Sequence, residues 1–270
     1  MTHRESSVAG QFYPAECEEI EANIRRFNDV LKEKHFESSS VALSPRAIIV
    51  PHAGYIYSGF TANVAFKVAQ EISGSIDRVV VIGPSHRTYL EGASIALFDA
   101  YDSPCAPLPI DTDLSKALNV QFDFLSYLPS AHHEHSTEVQ MPFVKHYFTN
   151  AKVVEIVYGD VSAEALSLLI DALFEQQRTL VVISTDLSHF HPLQKAKALD
   201  ALCMHGVADL DLRALESGCE ACGLLGVKAL TLSASRQGFK SELLKYSTSA
   251  DVTKDQSSVV GYLSAIIGEV

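Results

Sequence analysis

The sequence lacks an excess of positive charge and lacks any long apolar run. Its 21 lysine and arginine residues are outnumbered by 33 aspartate and glutamate residues, which gives a net charge of −12 at pH 7. Proteins that bind nucleic acid normally present a basic face, so this balance argues against a nucleic-acid partner. No apolar run reaches the length that spans a bilayer, and we expect no membrane partner. The first residues have no apolar segment typical of a signal peptide, so we expect a cytoplasmic protein.

The sequence has few cysteines, and their number is odd. It also lacks the repeats and linkers that divide a chain into domains. Because a cytoplasmic protein keeps its thiols reduced, we expect five free cysteines. They are Cys17, Cys105, Cys203, Cys219 and Cys222. We find no internal repeat, no low-complexity tract and no linker rich in proline or glycine. The 270 residues, 47% of them hydrophobic, can build a large core, and we expect one domain.

The chain does contain an alternation of β-branched runs with amphipathic segments. Residues 47–50, 78–82 and 180–183 are typical of strands buried on both faces, as in a parallel sheet. Apolar residues at helical spacing predict helices between them, for example over 61–72 and 163–174. The alternation predicts an α/β fold with a mostly parallel or mixed central sheet and helices on both faces.

Each of these three strands is followed by polar side chains. His52 comes after Pro51, which cannot join a strand ladder; His86 follows the second strand, and Asp186 and His189 follow the third. Open α/β sheets bind their ligands at this edge. One such histidine can simply hydrogen-bond to loop backbone. Two of them after core strands favour a metal site, because neutral imidazole is the commonest biological metal ligand.

Asp186 and His189 are three residues apart, so one helical turn would place them on the same face. They could form a general acid/base pair or support a metal ligand, and Asp186 could instead, or in addition, cap a helix. Residues 134–138 could supply further acids and bases, with His135 and Glu138 as the candidates and a solvated loop as the alternative. We expect the helix that follows to be opened by a Ser-Thr-Glu cap.

Cys219 and Cys222 form a CxxC pair with several interpretations. A redox motif would need a thioredoxin-like βαβ unit, and a zinc site would need a second pair; neither is evident. Both residues could also be small core side chains. A helix that starts at Cys222 would lower the pKa of its thiol and favour the thiolate that metal coordination requires.

Five segments, in order along the chain, resemble motifs of the Memo family, called AmmeMemoRadiSam system protein B in prokaryotes. They are PHAGYIYSG at 51–59, GPSH at 83–86, EHSTEVQMPF at 134–143, STDLSH at 184–189 and ACG at 221–223. VAGQFYP at 8–14 and VVGY at 259–262 look like the two ends of that family. The resemblance implies that residues 1–270 form a single Memo-like domain with the fold of the class III extradiol dioxygenases, the LigB-like non-haem iron enzymes.

The resemblance also implies a site that holds one divalent metal ion through His52, His86 and Cys222, with Asp186 and His189 lining the pocket. Cys222 stands where the dioxygenases have a carboxylate, a departure from the 2-His-1-carboxylate triad of oxygen-activating iron sites. We therefore do not expect ring cleavage. The thiolate makes copper as well as iron the expected metal, with zinc as an alternative.

From this resemblance we expect a metal-dependent redox protein, an oxidoreductase in which His189 acts as acid or base, or binds substrate, and Asp186 orients it. Tyr57 and Tyr13 are expected to border the pocket. Two alternatives stay open: a catalytically vestigial pocket that binds a peptide or small ligand, and a metal-free thiol enzyme. The expected partners are a small-molecule or peptide ligand and, from the prokaryotic family name, a radical SAM protein.

Overall fold

The three apolar runs predicted as core strands lie side by side in one sheet. In the computed structural model, which describes residues 2–270, they are β2 (Ser44–Val50), β3 (Arg78–Pro84) and β9 (Thr179–Ser184). Together with β8 (Lys152–Tyr158) they run in the order β2-β9-β3-β8, and every pair is parallel. The carboxyl ends of β2, β3 and β9 therefore meet at one edge of the sheet, as predicted.

The remaining strands either extend this centre on both sides or form a small separate sheet. They are β1 (His3–Arg4), β4 (Ala93–Ile95), β5 (Ala100–Tyr101), β6 (Leu108–Pro109), β7 (Leu125–Ser126), β10 (His189–His191), β11 (Lys240–Thr248) and β12 (Val259–Glu269). β12 pairs antiparallel with β2, β10 and β11, and β4 pairs antiparallel with β8. β1, β5 and β6 form a separate small sheet. The main sheet is thus mixed, which confirms the predicted fold class.

Helices cover both faces of the main sheet. They are α1 (Cys17–Glu33), α2 (Phe60–Ile72), α3 (Thr112–Gln121), α4 (His135–Glu138), α5 (Met141–Tyr147), α6 (Ala163–Phe174), α7 (Leu193–Ala208), α8 (Leu212–Glu216), α9 (Leu224–Gln237) and α10 (Ala250–Thr253). α1, α2 and α5 pack into one apolar cluster, and α6, α7 and α9 into another. Along β2, Ile48 and Val50 face the first cluster while Ala47 and Ile49 face the second. This alternation explains why the run is apolar throughout.

The expectation of five reduced thiols is wrong. Cys17 pairs with Cys105 and Cys203 with Cys219 in disulfides, which leaves Cys222 as the free cysteine within residues 2–270. The Cα atoms of the two pairs are 4.6 Å and 4.7 Å apart, which is within the range that a disulfide bridges. The fold has therefore brought together residues that are 88 and 16 positions apart in the sequence.

The helices of the described residues are also relevant to the expected absence of a membrane partner. None of them has both the length and the apolar character needed to cross a membrane.

Candidate metal centre

Three side chains predicted as metal ligands converge beyond the carboxyl ends of β2, β3 and β9. One ligand atom each from His52, His86 and Cys222 can be chosen so that all three lie within 4.8 Å of one another. His52 Nε2 and Cys222 Sγ are 3.4 Å apart. Two such atoms bound tetrahedrally to one ion, at metal–N and metal–S distances of about 2.0 and 2.3 Å, would be about 3.5 Å apart. The residues therefore fit a single divalent metal ion.

The backbone near Cys222 explains how a thiol so late in the chain reaches the two histidines. The Cys222 amide donates to the Asp186 carbonyl at 3.2 Å, and the Gly223 amide donates to Thr185 Oγ1 at 2.8 Å. A Cβ atom on residue 223 would lie 2.6 Å from the Thr185 Cβ atom. Only glycine permits this approach, so Gly223 lets the segment before α9 dock against the loop after β9.

Hydrogen bonds fix which ring nitrogen of His52 faces Cys222. His52 Nδ1 lies 3.0 Å from Ser184 Oγ. The Ser184 hydroxyl donates its one proton to the Ser136 carbonyl and accepts from Gln140 Nε2 at 2.9 Å. Ser184 can therefore only accept from His52, so Nδ1 carries the proton. The lone pair is left on Nε2, the nitrogen that faces Cys222.

Both candidate histidine ligands are held in the neutral form. Burial lowers the pKa of His52 well below its ordinary value, and the neighbouring His135 and His86 lower it further. Burial also lowers the pKa of His86, despite the opposing effect of Glu134. His86 is solvent-exposed as a residue, whereas His52 is buried, so the site is open on one side. Neutral imidazoles are the form that binds metal.

The prediction of a lowered thiol pKa at Cys222 is wrong. α9 begins at Leu224, so Cys222 lies outside the helix. Burial, followed by the charge of Asp186, raises the pKa of the Cys222 thiol to about 12. The Asp186 amide donates to Cys222 Sγ at 3.3 Å, which favours the thiolate but does not outweigh burial. A metal ion supplies the charge that deprotonates a coordinating thiol.

The predicted helical turn over Asp186 and His189 is also wrong. Residues 185–188 are not helical, and His189 begins β10 by pairing with Val260 of β12. Asp186 Oδ1 instead accepts from the backbone amides of His52 at 2.8 Å and Ala53 at 3.3 Å. Its carboxylate therefore fixes the main chain that carries a metal-ligand candidate, rather than capping a helix.

A cavity of about 380 Å³ adjoins the three ligand candidates. It is lined by Phe12, Ala53, Gly54, Tyr57, His135, Asp186, His189, Ser249, Thr253, Val260 and Tyr262. The His135 ring centroid lies 5.4 Å from that of His52 and 5.1 Å from that of His86. The structure thus brings Asp186, His189, His135 and Tyr57 together in one cavity beside the metal centre.

Glu134 contributes to the site in a way that the sequence analysis missed. Its carboxylate accepts from the amides of His86 at 2.6 Å and His135 at 2.8 Å, and lies 2.7 Å from His135 Nδ1. Burial opposes ionisation, but hydrogen bonds from His135 and from the His86 amide outweigh it and lower the pKa of Glu134 to about 2. Glu134, not a Ser-Thr-Glu cap, is the N-cap of α4. An acidic residue directly before a helix start was the available signal.

Glu138, an acid/base candidate, and Tyr13, predicted to border the pocket, both lie elsewhere. Glu138 is fully buried and forms an ion pair with Arg4, and the Tyr13 hydroxyl donates to Glu138 Oε1 at 2.9 Å. Neither residue lines the 380 Å³ cavity. They fasten the N-terminal segment instead, which places Phe12 with its ring centroid 4.8 Å from that of His135.

The chain is similar to known proteins in sequence and in fold. The family model described as Memo-like protein matches residues 4–266. The MEMO1 family protein TV1383 of Thermoplasma volcanium is 31% identical, with 97% of each chain covered. A MEMO1 family protein of Aquifex aeolicus is 32% identical, over 98% of this chain and 99% of that one. The crystal structure of the uncharacterized protein JW3007 from Escherichia coli K12 has a TM-score of 0.54 at 12% identity, covering 82% of this chain and 98% of that chain, a likeness of fold alone. Since the family model and these relatives extend over nearly the whole sequence, the chain belongs to the Memo family, with its LigB-like fold.

Proposed function

We propose that this chain is a metal-dependent redox protein in which His52, His86 and Cys222 hold one divalent metal ion. The observation that carries the proposal is the convergence of their ligand atoms within 4.8 Å. Imidazole suits iron, copper and zinc, and thiolate favours copper and zinc. We propose iron or copper, with zinc as the alternative. A bound iron or copper ion would supply one-electron redox chemistry and Lewis acidity, whereas zinc would supply Lewis acidity alone. Ring cleavage is not proposed, because Cys222 replaces the carboxylate of the iron triad.

The number of ligands favours a reactive centre over a purely structural one. Structural zinc sites are usually closed by four protein ligands, whereas catalytic sites keep three and leave a position open. Here three candidates converge, and His86 is exposed. The adjoining cavity of about 380 Å³ gives a ligand space next to the open side.

The side chains in that cavity supply the remaining chemistry. We propose that an imidazole nitrogen of His189, a half-buried residue in the cavity wall, donates a proton to the bound ligand or accepts one from it. Asp186 supports the centre through the main chain of His52. Glu134 holds the amide of His86 and the ring of His135, so both loops keep their positions around the ligand.

Oxygen uptake with a catechol as reductant tests the redox function. We expect uptake by the iron- or copper-loaded protein, its loss in Cys222→Ser, and a decrease of roughly 10²- to 10⁴-fold in His189→Gln. His191→Gln is the matched control, because His191 bonds to Glu220 and does not line the cavity. Uptake that is equal in wild type and Cys222→Ser would contradict the proposal, as would the absence of uptake with either metal.

The second candidate is a binding module with a catalytically vestigial pocket. The aromatic walls of the cavity, from Phe12, Tyr57 and Tyr262, favour a peptide or small-molecule ligand. Calorimetric binding of such a ligand without any oxygen uptake would identify this function. A metal-free thiol enzyme is disfavoured, because a thiol with a pKa of about 12 is protonated at neutral pH.

Three further proposals concern the surroundings of the protein. A radical SAM partner is proposed from family membership alone. The acidic composition supports a protein without nucleic-acid or membrane partners. We also propose a cytoplasmic location, for which the two disulfides are the opposing observation, because cytoplasmic thiols are normally kept reduced. Co-purification with a radical SAM protein from the source cells tests the first, and cell fractionation tests the location.

A further inference from the structure

A second cavity lies apart from the metal ligands and has a basic wall. Its volume is about 600 Å³, and it lies between α1, residues 55–61, α7, β11 and α10. Its charged lining comprises four cations and one carboxylate: Arg26, Lys34, Lys197, Lys245 and Asp251. None of the three ligand candidates of the metal centre contributes to the wall, although Tyr57 lines both this cavity and the smaller one beside the metal centre.

The four cations of this wall belong to an acidic chain. With a net charge of −12, lysine and arginine have carboxylates in excess around them. Lys228 and Arg236, for example, pair with Glu216 and Asp171. Within residues 2–270, none of the four cations in the cavity wall forms an ion pair. Their charge is therefore available to an anion that enters the cavity.

A β-bulge lies next to one of these cations, Lys245. Leu244 and Lys245 line a neighbouring cavity of about 440 Å³. This neighbouring cavity shares Lys34, Phe60 and Lys245 with the larger one. The register of β11 on β12 shifts between Leu243 and Lys245. Bulges that re-aim a side chain are concentrated at functional sites.

Aromatic rings supply the rest of the recognition surface. Phe27, Tyr57, Phe60 and Tyr246 all line the cavity. Lys34 Nζ lies 5.4 Å from the Phe60 ring centroid, so charge and aromatic surface lie side by side. The Tyr246 hydroxyl already donates to Asp200 Oδ2 at 2.7 Å, so the ring is what this tyrosine contributes.

We infer that the 600 Å³ cavity is a binding site for a small organic anion with an aromatic body. The volume is within the range that accepts such a molecule. The cations would hold its anionic group, and Phe60 and Tyr57 would contact its rings. This site goes beyond the proposed redox function, because binding requires no metal.

The test compares two fluorescent probes that differ by one charged group. 8-Anilinonaphthalene-1-sulfonate carries an aromatic body and a sulfonate; N-phenyl-1-naphthylamine has the same rings without the charge. We expect the double variant Lys197→Ala/Lys245→Ala to bind the sulfonate probe about tenfold more weakly and to bind the uncharged probe with unchanged affinity. Lys195→Ala/Lys240→Ala is the matched control, because it removes equal charge from exposed positions of the same two elements, outside the cavity wall. Thermal unfolding checks that both variants fold.

Three results together would support the inference. The affinity for the sulfonate probe falls in the cavity variant, it stays at the wild-type value in the control variant, and it decreases with added salt. Equal affinity of the two double variants for the sulfonate probe would overturn it. An equal loss of affinity for both probes in the cavity variant would also overturn the inference, since the cations would then not be recognising the charge of the sulfonate.

Discussion

The Nε2 atom of His52 lies 3.4 Å from the Sγ atom of Cys222, although 170 positions separate the two residues in the sequence. His52 is placed by the end of a core strand, and Cys222 by a glycine-dependent approach to the next strand's loop. The nitrogen offers a lone pair and the sulfur carries a proton that a metal would displace. This contact is the basis of the metal-centre hypothesis and of most of the predictions below.

Metal binding is expected to release about one proton per ion at pH 7. The thiol of Cys222, with its pKa raised to about 12 by burial, is protonated there, whereas the lowered pKa values of His52 and His86 keep both rings neutral. Metal affinity should therefore rise roughly tenfold per pH unit above neutrality. Calorimetry in buffers of different ionisation enthalpy measures the proton release.

The control for proton release is Cys222→Ser, whose hydroxyl does not ionise in this range. We expect it to bind metal weakly and to release no proton. Release of no proton by the wild type, or an affinity that does not change with pH, would show that the thiol is not a ligand.

Ser184 fixes the tautomer of His52, so its removal should weaken metal binding without removing a ligand. In Ser184→Ala the buried Nδ1–H loses its acceptor, and Gln140 loses one of its two partners. We expect metal affinity to fall 10- to 100-fold, the usual cost of losing a residue that orients a ligand. Competition with a chromophoric chelator measures this.

Ser264→Ala is the matched control for Ser184→Ala. Ser264 is a fully buried serine of the same sheet whose hydroxyl has no hydrogen-bond partner among the described residues. It should leave metal affinity unchanged. An equal effect of the two substitutions would mean that general packing, and not the tautomer of His52, sets the affinity.

The buried ion pair between Arg4 and Glu138 should be important for stability rather than for the site. Removing one partner leaves an unpaired buried charge, so Arg4→Met is expected to lower the free energy of unfolding by about 3–5 kcal/mol. Urea denaturation measures this. Arg25→Met, at an exposed position of α1, should change it by less than about 0.5 kcal/mol. An equally small effect of Arg4→Met would show that the ion pair between Arg4 and Glu138 is not important for stability.

The same pair predicts a pH dependence. Burial opposes ionisation of Glu138, but Arg4 and hydrogen bonds from Ser7 and Val8 outweigh it and lower the pKa of Glu138 below its ordinary value of 4.5. A carboxyl group with a lowered pKa stabilises the fold above its unfolded-state value and loses this effect as the pH falls through its folded-state value. The difference in stability between wild type and Glu138→Gln should therefore shrink below about pH 4.5.

The sequence predicted the parts of the fold that depend on periodic apolar patterns. β2, β3 and β9 lie where their apolar runs stand, and α6 has the predicted bounds. The strand-end rule placed His52 and His86 at one edge, because parallel neighbours share an edge. Asp186, by contrast, was assigned to a helical turn, because spacing alone cannot show that the next residues pair with β12.

Features that depend on distant packing were not predictable. The disulfide partners Cys17 and Cys105 are 88 positions apart, and nothing local to either marks the pairing. The pKa of Cys222 was predicted to fall because a helix start was expected there; it rises because burial is set by the whole fold. Glu138 was predicted to be an acid/base candidate from its neighbours in sequence, but its partner is Arg4 on the N-terminal strand.

Metal content is the most direct test of the central claim. Protein purified without added metal is analysed by inductively coupled plasma mass spectrometry, comparing wild type, His52→Ala and His133→Ala, an exposed histidine outside the ligand cluster. We expect about one iron or copper ion per chain in the wild type and in His133→Ala, and almost none in His52→Ala. Equal metal content in wild type and His52→Ala would contradict the metal centre.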